Sequence, residues 1–240
     1  MSVAMTMAEQ VLARASGRDQ VSPGEYVTAR IDVAMCHEAL AFCGPKLLEL
    51  GIEKVWDPDR VIVILDHAFP AATERMAIVH TTVRQLVEQL KVGTFLGHAG
   101  ICHQVLVERG LVRPGQLVLG SDSHSCTYGA VGAAGAGIGL TDMTYVLATG
   151  ELWMRVPETI RFVLTGQPGP GTMSKDVVLH LAGRYGTDVA QYGSIEYTGT
   201  LADRLTISSR MTMSNMGVEL GAKFAFFAAD ARTQAFYMDA

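Results

Sequence analysis

The stretch that decides the fold follows an apolar run at residues 117–119 and reads Gly120-Ser121-Asp122-Ser123-His124-Ser125-Cys126-Thr127-Tyr128-Gly129-Ala130. Glycines at 132, 135, 137 and 139 come next, and a segment with the pattern of a helix begins at Thr141-Asp142. This order predicts a buried strand that ends in a carboxylate, a hydroxyl and an imidazole, with a pliant glycine loop behind it. Ligands of open α/β sheets bind at the carboxyl ends of strands, and glycine lets the backbone approach a ligand closely. The alternative is a polar turn after a strand, and the rest of the chain decides between the two.

Strand-like and helix-like segments alternate upstream of this stretch. Residues 61–65 form a continuous apolar run, typical of a fully buried parallel strand, and residues 26–35 alternate as a half-buried strand does. Shorter helices are expected at 46–50, closed by Gly51 after a turn at Gly44-Pro45, and at 104–109. The clearest helix is predicted at 72–91, where apolar residues recur at intervals of three and four: Met76, Val79, Val83, Leu86 and Leu90. The alternation predicts an α/β fold with three-layer α/β/α character and a mostly parallel sheet.

A smaller second α/β unit is expected beyond a boundary near Val156-Pro157, which gives domains 1–156 and 157–240. Strands are predicted at 159–165 and 194–198, and Ser174 is expected to cap a helix that ends at Gly183 or Gly186. A helix over 209–223 would place Asn215 and Glu219, four residues apart, on one face. Residues 224–228 are either one more strand or the continuation of a buried helix.

Composition excludes several classes of protein. The chain has 240 residues, 49% of them apolar and only 18% charged, which is typical of a globular protein rather than a disordered one. A net charge of −5 and the absence of a Lys/Arg cluster argue against nucleic-acid and membrane-surface partners. No run approaches the roughly 18 apolar residues of a membrane span, and residues 1–20 lack the pattern of a signal peptide. A cytoplasmic protein is therefore expected.

The cysteines form no CxxC pair, and in the cytoplasm they are expected to be free, half-buried thiols rather than disulfides. Metal binding is the alternative, since two of them neighbour histidines. The full set is Cys36, Cys43, Cys102 and Cys126.

Polar side chains that suit catalysis follow three separate apolar runs or glycine-flanked loops. They are the pair Asp66-His67, the residue His103, and the triplet Asp122-Ser123-His124. An isolated histidine is usually a structural residue, but imidazoles paired with carboxylates are suited to proton transfer near neutral pH. A neighbouring hydroxyl can orient a substrate or bind an oxyanion. We expect His67, His103, Asp122 and His124 to converge on one cleft, because carboxyl ends of parallel strands share an edge.

The stretch at 120–130 resembles the signature segment of the aconitase superfamily, and within it the large subunits of 3-isopropylmalate dehydratases and homoaconitases. Further similar segments follow in order along nearly the whole chain, at 5–9, 54–58, 66–72, 100–106, 147–150, 156–160 and 210–216. The resemblance implies an aconitase-like fold and hydro-lyase or isomerase activity on a hydroxy di- or tricarboxylic acid. Water would be eliminated across a carbon–carbon bond and added back.

The resemblance also implies a role for individual residues. The groups that handle the leaving or attacking hydroxyl would be Asp66, His67 and His103. Asp122, Ser123 and His124 would line the pocket for substrate and cluster. Asn215 and Glu219 would reach the substrate from the second domain, and His37 stands where the family places a further substrate-facing group.

The family uses a [4Fe-4S] cluster held by three cysteines, one lone and two in a CxxC motif, and none of the four cysteines here matches those positions. The resemblance therefore implies that the cluster ligands lie outside this chain, in the C-terminal part of the large subunit. A swivel-domain small subunit would supply the serine that abstracts the carbon-bound proton. Among arginines, only Arg210 lies in a similar segment, as a contact near a helix N-terminus. Alone, the chain is expected neither to hold a cluster nor to dehydrate 3-isopropylmalate.

Two alternatives remain from the sequence. One is a shortened homologue with changed chemistry that uses a single divalent metal or none, for which imidazole and carboxylate ligands suit Fe, Mn or Zn. The other is a non-catalytic structural module that binds no iron.

Overall fold

The structure is a computed structural model, and it describes residues 4–239. The strands are β1 Tyr26–Arg30, β2 Val33–Cys36, β3 Val61–Val63, β4 Thr94–Phe95, β5 Leu117–Gly120, β6 Ala134–Gly137, β7 Glu151–Arg155, β8 Thr159–Val163, β9 Ser194–Thr198 and β10 Phe224–Phe227. The α-helices are α1 Met7–Ser16, α2 Leu40–Glu49, α3 Glu74–Gln89, α4 Cys102–Glu108, α5 Leu140–Thr149, α6 Ser174–Tyr185, α7 Ile207–Asn215 and α8 Ala231–Asp239. Short 3₁₀ segments are Pro58–Arg60, Ser123–Val131, Ala202–Arg204 and Val218–Leu220.

A parallel five-stranded sheet, in the order β4-β3-β2-β5-β6, forms the centre of the structure. A second parallel sheet has the order β10-β9-β8, and β1 pairs with β7 as an antiparallel ribbon. The expected α/β fold with a mostly parallel sheet is confirmed. Within residues 4–239, no helix is both long and apolar enough to cross a membrane.

The central sheet has a hydrophobic core on each face, because its side chains alternate between two clusters. Ala34, Val63 and Leu119 face the core that contains residues of α1, α2, α3 and α5. Their neighbours Met35 and Val118 face a second core built with α4 and the 3₁₀ segment Ser123–Val131. Both faces are therefore covered, as the continuous apolar run at 61–65 predicts for a parallel sheet.

Strand β10 connects the second sheet to this arrangement. Phe224 and Phe226 belong to the core of the central sheet, whereas Ala225 and Phe227 belong to a third core with residues of α6 and β9. Residues 224–228 thus form a strand rather than a helix. The division into domains 1–156 and 157–240 stays a prediction.

The strand predicted over 26–35 is wrong in one respect, since the chain divides it between two sheets. Strand β1 pairs with β7, and β2 lies in the central sheet. The break falls at Ile31-Asp32, where Ile31 N donates to the Gly150 carbonyl and the Asp32 carboxylate accepts from Leu117 N. Arg14 also pairs with that carboxylate. The alternation of residue types continues through the bend, so the pattern alone conceals it.

Helix boundaries also differ from the sequence pattern. Helix α2 begins at Leu40 and continues through Gly44-Pro45, which the sequence suggests as a turn. Its buried residues recur at helical spacing, and Gly44 packs so closely on Leu86 of α3 that a Cβ would lie 2.8 Å from a methyl group. Burial of this face therefore outweighs the hydrogen bond that Pro45 cannot donate. Helix α3 is confirmed, with Thr73 as its N-cap.

In the second half of the chain, Ser174 is the first residue of α6 rather than its cap, and the helix ends at Gly186. The helix predicted over 209–223 ends at Asn215, because Gly217 is pressed against Ala225 and the chain turns into the 3₁₀ segment Val218–Leu220. Asn215 and Glu219 are consequently not on one helix face.

The glycines behind Asp122 are not a pliant loop. Gly129 lies in the buried 3₁₀ segment Ser123–Val131, Gly135 and Gly137 lie in strand β6, which pairs with β5, and Gly132 and Gly139 flank that strand. A Cβ at Gly135 would lie 2.1 Å from the Ser125 carbonyl oxygen, and one at Gly129 would lie 1.8 Å from that of Ala225. Glycine is required there for close backbone packing.

Gly129→Ala tests this close packing. The added methyl group meets backbone rather than a movable side chain, so we expect a loss of about 3 kcal/mol or more of unfolding free energy, measured by urea denaturation. Gly183→Ala is the matched control, because Gly183 lies inside α6 with nothing within 4 Å of an added Cβ. It should be neutral or stabilise by about 0.5–1 kcal/mol. Equal stability of the two variants would contradict the packing argument.

Candidate active site

The candidate site lies at the carboxyl edge of the central sheet, where three neighbouring strands end. Strands β3, β2 and β5 are adjacent in the sheet and parallel. They are followed by Asp66-His67, His37-Glu38 and Asp122-Ser123-His124 respectively. The topology therefore delivers these side chains to one edge of the sheet.

Asp122 is the carboxylate around which the site is arranged. It is only 4% exposed, and its Oδ2 accepts a hydrogen bond from His103 Nδ1 at 2.8 Å. Its Oδ1 lies 3.5 Å from His67 Nε2. Burial works to raise the pKa of Asp122, but the hydrogen bond and charge of His103 outweigh burial, so the pKa is lowered. The carboxylate is therefore ionised at neutral pH and holds two imidazoles.

Asp66 fixes His67 from the other side. Asp66 Oδ1 accepts from His67 Nδ1 at 2.6 Å, and Oδ2 accepts from the backbone N–H of Cys102 at the start of α4, also at 2.6 Å. One carboxylate thus orients an imidazole and ties down the helix that carries His103. His67 lies between Asp66 and Asp122, and its side chain is 43% exposed, so it is accessible to a ligand.

His37 lies flat against His67, with ring centroids 3.9 Å apart and planes 12° from parallel. Its Nε2 lies 3.0 Å from the Ser121 carbonyl oxygen, which can only accept, so Nε2 carries a hydrogen. Burial works to lower the pKa of His37, but the hydrogen bonds to Glu38 and Ser121 outweigh burial, and the pKa is raised.

Two residues from the C-terminal part of the chain complete the site. Asn215 Nδ2 lies 3.2 Å from His103 Nε2 and donates to Thr127 Oγ1 at 3.0 Å. Since His103 Nδ1 donates to Asp122, Nε2 is the acceptor of the Asn215 amide. Glu219 Oε1 lies 3.0 Å from His124 Nε2, although Glu219 stands on the 3₁₀ segment rather than on α7.

Ser123 and a cavity lie beside the pairs His103–Asn215 and His124–Glu219. Ser123 Oγ is 3.2 Å from His124 Nδ1, so both ring nitrogens of His124 have a partner. A cavity of about 390 Å³ opens next to His103, Thr127 and Asn215, with Met211, Met216 and Phe236 among its apolar lining. The structure thus brings every residue predicted for the site to one region. Their catalytic and binding roles remain predictions.

Glu38 is a residue of this site for which the sequence predicts no role. It is 5% exposed, and its carboxylate accepts from the backbone N–H of His67 at 3.3 Å and of Ala68 at 3.1 Å. His80 Nε2 of α3 lies 3.3 Å away, and His37 Nδ1 lies 3.5 Å away. Glu38 therefore connects α3, the loop after β3 and the end of β2. Its place directly after an apolar strand, beside a candidate histidine, is the sequence signal that identifies it.

Arg210 has a structural position instead of a place in the site. Its side chain is buried, pairs with Asp230 and lies 3.5 Å from the Ala228 carbonyl oxygen. It joins α7 to the segment after β10 and does not face the imidazoles.

The cysteines do not form the thiolate set of a cubane cluster. All four are buried and free. Among residues 4–239, the groups of potential metal ligands within 4.8 Å of one another contain at most one cysteine, Cys102, together with Asp66 and His67 or with His103 and Asp122. Burial raises the pKa of the Cys102 thiol, as do both carboxylates, and raises that of Cys126 to about 12. A [4Fe-4S] cluster needs three thiolates around one site, so these residues do not fit one.

Comparisons with known proteins show that nearly the whole chain is similar to one family. Residues 9–240 match the Aconitase family (aconitate hydratase). The 3-isopropylmalate dehydratase large subunit 1 of Methanopyrus kandleri is 46% identical over 233 residues, covering 95% of this chain and 55% of that protein. A probable methanogen homoaconitase large subunit of Methanothermobacter thermautotrophicus is 45% identical over 230 residues, covering 92% and 53%. The 3-isopropylmalate dehydratase large subunit of Aquifex aeolicus is 42% identical over 231 residues, covering 95% and 54%. The chain spans about half the length of these relatives.

Glu38→Gln tests how far this carboxylate stabilises the fold. Burial works to raise the pKa of Glu38, but the hydrogen bonds from His37 and the backbone N–H groups lower it to about 2. Because the folded pKa lies below the unfolded value of about 4.3, the stabilisation is complete above about pH 5 and is lost as pH falls toward 2. We expect the variant to lose about 3 kcal/mol of unfolding free energy at pH 7, and clearly less at pH 3, in urea titrations.

Glu49→Gln is the control for this prediction, since Glu49 lies on α2 in an exposed pair with Lys46. It should change the unfolding free energy by no more than about 1 kcal/mol. A Glu38→Gln loss that is the same at both pH values would show that the charge of Glu38 does not matter.

Proposed function

The chain belongs to the aconitase family, and from that premise we propose that it is the N-terminal part of the large subunit of a hydro-lyase of the 3-isopropylmalate dehydratase type. Such an enzyme dehydrates and rehydrates a hydroxy di- or tricarboxylic acid with defined stereochemistry. The observation that supports this most directly is the set of imidazole–carboxylate pairs at one sheet edge, in which Asp122 contacts both His67 and His103. The similarity to 3-isopropylmalate dehydratase large subunits also supports it.

In this proposal the two imidazole–carboxylate pairs, His67 with Asp66 and His103 with Asp122, carry out the proton transfer and hydrogen bonding at the substrate hydroxyl. His67, oriented by Asp66, delivers a proton from Nε2 to the departing hydroxyl, while the base of the small subunit takes the proton from the neighbouring carbon. The C–H electron pair then forms the double bond, the C–O bond breaks and water leaves. His103 accepts a hydrogen bond from the same hydroxyl or the water through Nε2, while its Nδ1–H stays on Asp122 and keeps the ring in this orientation. Re-addition of water runs in reverse, with His67 taking the proton. A carboxylate-bound imidazole is suited to both directions near neutral pH.

The remaining predicted residues would bind and orient the substrate. We assign Ser123 and His37 to its polar groups, because both lie beside reactive imidazoles. Asn215 holds His103 Nε2 in place until the substrate competes for it. Glu219 orients His124, and its 47% exposed side chain is accessible to bound water.

The cofactor and the partners complete the proposal. We propose that the [4Fe-4S] cluster of the family is held by cysteines outside this sequence, in a C-terminal part of the large subunit. When bound, the cluster would supply a Lewis acid for the substrate hydroxyl. A swivel-domain small subunit would supply the base for the carbon-bound proton. We place the assembly in the cytoplasm, where the buried thiols stay reduced, without nucleic-acid or membrane partners.

A second candidate is a shortened homologue with cluster-independent chemistry. It is favoured by the ligand atoms of Asp66, His67 and Cys102, which lie within 4.8 Å of one another and suit a single divalent metal. Metal analysis of the purified chain separates this candidate, and a non-catalytic module, from the first.

The first candidate makes a prediction for the chain alone. After anaerobic treatment with iron and sulfide, we expect no stable absorbance near 400 nm and no alkene formed from 3-isopropylmalate, because neither the thiolates nor the proton-abstracting base is present. Addition of the C-terminal large-subunit part and the small subunit of a similar enzyme should give both. A brown, active protein from this chain alone would contradict the assignment.

Asp122→Asn tests the central carboxylate in that assembled enzyme. Without its charge, neither His67 nor His103 is held in the required orientation and tautomer, and we expect kcat to fall by about 10²–10⁴-fold. Asp19→Asn, at an exposed position after α1, is the control and should leave kcat unchanged. A loss below tenfold would remove Asp122 from the proton-transfer machinery.

A further inference from the structure

A second cavity lies beside the candidate site, on the side of the central sheet where β6 ends. Its volume is about 320 Å³, and it is lined by Ser121, Ser123, Lys223 and the backbone of residues 137–139, with Val218 and Ala222 as its apolar part. The proposed function gives this cavity no role.

The ammonium group of Lys223 is the charge around this cavity that neighbouring groups compensate least. The side chain is half-buried, and Nζ donates one hydrogen bond, to the Gly137 carbonyl oxygen at 3.1 Å. Within the part of the chain that the structure describes, Lys223 makes no ion pair. Burial lowers the pKa of Lys223, and the charge of Asp142 on α5 offsets this only in part. The Tyr192 ring lies 5.8 Å from Nζ.

An ammonium group has three donors, and a half-buried one without a counterion is unfavourable unless an anion joins it. Lys223 uses one donor on Gly137, which leaves two for a ligand. The cavity beside it has polar walls on the side of Ser121 and Ser123. Its chemistry therefore suits an anion with hydrogen-bond acceptors, such as a carboxylate.

Ser123 lies between this cavity and the candidate site, since it lines the cavity and its Oγ is 3.2 Å from His124 Nδ1. A Cβ at Gly137 would lie 2.9 Å from Ser123 Cα and 2.7 Å from the Asp122 carbonyl oxygen, so the backbone that holds Lys223 also touches the Asp122-Ser123 segment. Ser121 Oγ accepts from His37 N, whereas Ser123 Oγ lies between His124 and this cavity.

The carboxylates of the candidate site favour a further cation where a ligand carries several negative charges. Four carboxylates surround its imidazoles: Glu38, Asp66, Asp122 and Glu219. Arg210 is occupied by Asp230. A substrate that carries two or more carboxylates is bound better where positive groups face it. Lys175 lines the cavity next to His103, and Lys223 lines the cavity beside Ser123.

We propose that Lys223 and the hydroxyl of Ser123 form a carboxylate-binding subsite that holds one end of a small hydroxydicarboxylate. This inference rests on the proposed function for the identity of the ligand, and it concerns this chain's own residues. The other end of the ligand extends toward His124 and His67. The neighbouring apolar residues Val218 and Ala222 exclude water from the ion pair.

The test is direct binding of D-malate, a 2-hydroxydicarboxylate, to the 240-residue chain by calorimetry and by histidine ring signals in NMR spectra. Lys223→Met should weaken binding by about tenfold or more, because a charge-assisted hydrogen bond is lost. Lys223→Arg should retain part of the affinity. The uncharged diamide of malate should not bind measurably to the parent chain.

Lys54→Met is the matched control, since Lys54 is exposed and lines neither of the two cavities. It should leave malate affinity unchanged, and equal urea midpoints for both methionine variants confirm that each is folded. The subsite is overturned if the parent chain does not bind malate, if Lys223→Met binds as the parent does, or if both variants weaken equally. These readouts need no turnover. An inactive assembled enzyme with a Lys223-dependent malate affinity would refute the proposed function and leave the subsite standing.

Discussion

The site depends on the ionised carboxylate of Asp122, which lies at the buried end of β5 and contacts both His103 and His67. A buried charge is tolerated only when it is paired, and here the pairing groups come from α4 and from the loop after β3. Asp66 extends the same network to the first backbone N–H of α4. At this edge of the sheet, the same carboxylates therefore orient the imidazoles and hold the secondary structure together. The carboxylate of Asp66 that orients His67 also accepts from the backbone at the start of α4.

This arrangement requires that backbone segments approach unusually closely. The 3₁₀ segment that follows Asp122 fits between β6 and β10 only because Gly129 and Gly135 have no side chain. That contact brings the end of α7 against the imidazoles, so that Asn215 reaches His103 across a long separation in sequence. The glycines that a reader of the sequence associates with flexibility are here among the most tightly packed residues of the protein.

Much of the central sheet and of the site can be predicted from sequence because each depends on local patterns. The buried run at 61–65, the helical spacing through Val83 and Leu86, and the carboxylate–histidine pairs at strand ends each follow from one rule. The bend at Asp32, the continuation of α2 through Pro45 and the end of α7 at Asn215 depend on partners far away in the chain, which no local pattern reveals. The role of Glu38 is not predicted from sequence for a similar reason, since its partners lie on α3 and after β3.

Strand β10 has a consequence for motion. Because Phe224 and Phe226 point into one core while Ala225 and Phe227 point into another, the two cores share a single strand and cannot move apart without exposing aromatic surface on both sides. Independent hinge motion of the two halves would therefore cost free energy, and their unfolding should be cooperative. The geometry between Asn215 and His103 is in this sense preorganised before any ligand arrives. Any opening that admits a ligand has to come from loops or from other polypeptides rather than from a hinge within this chain.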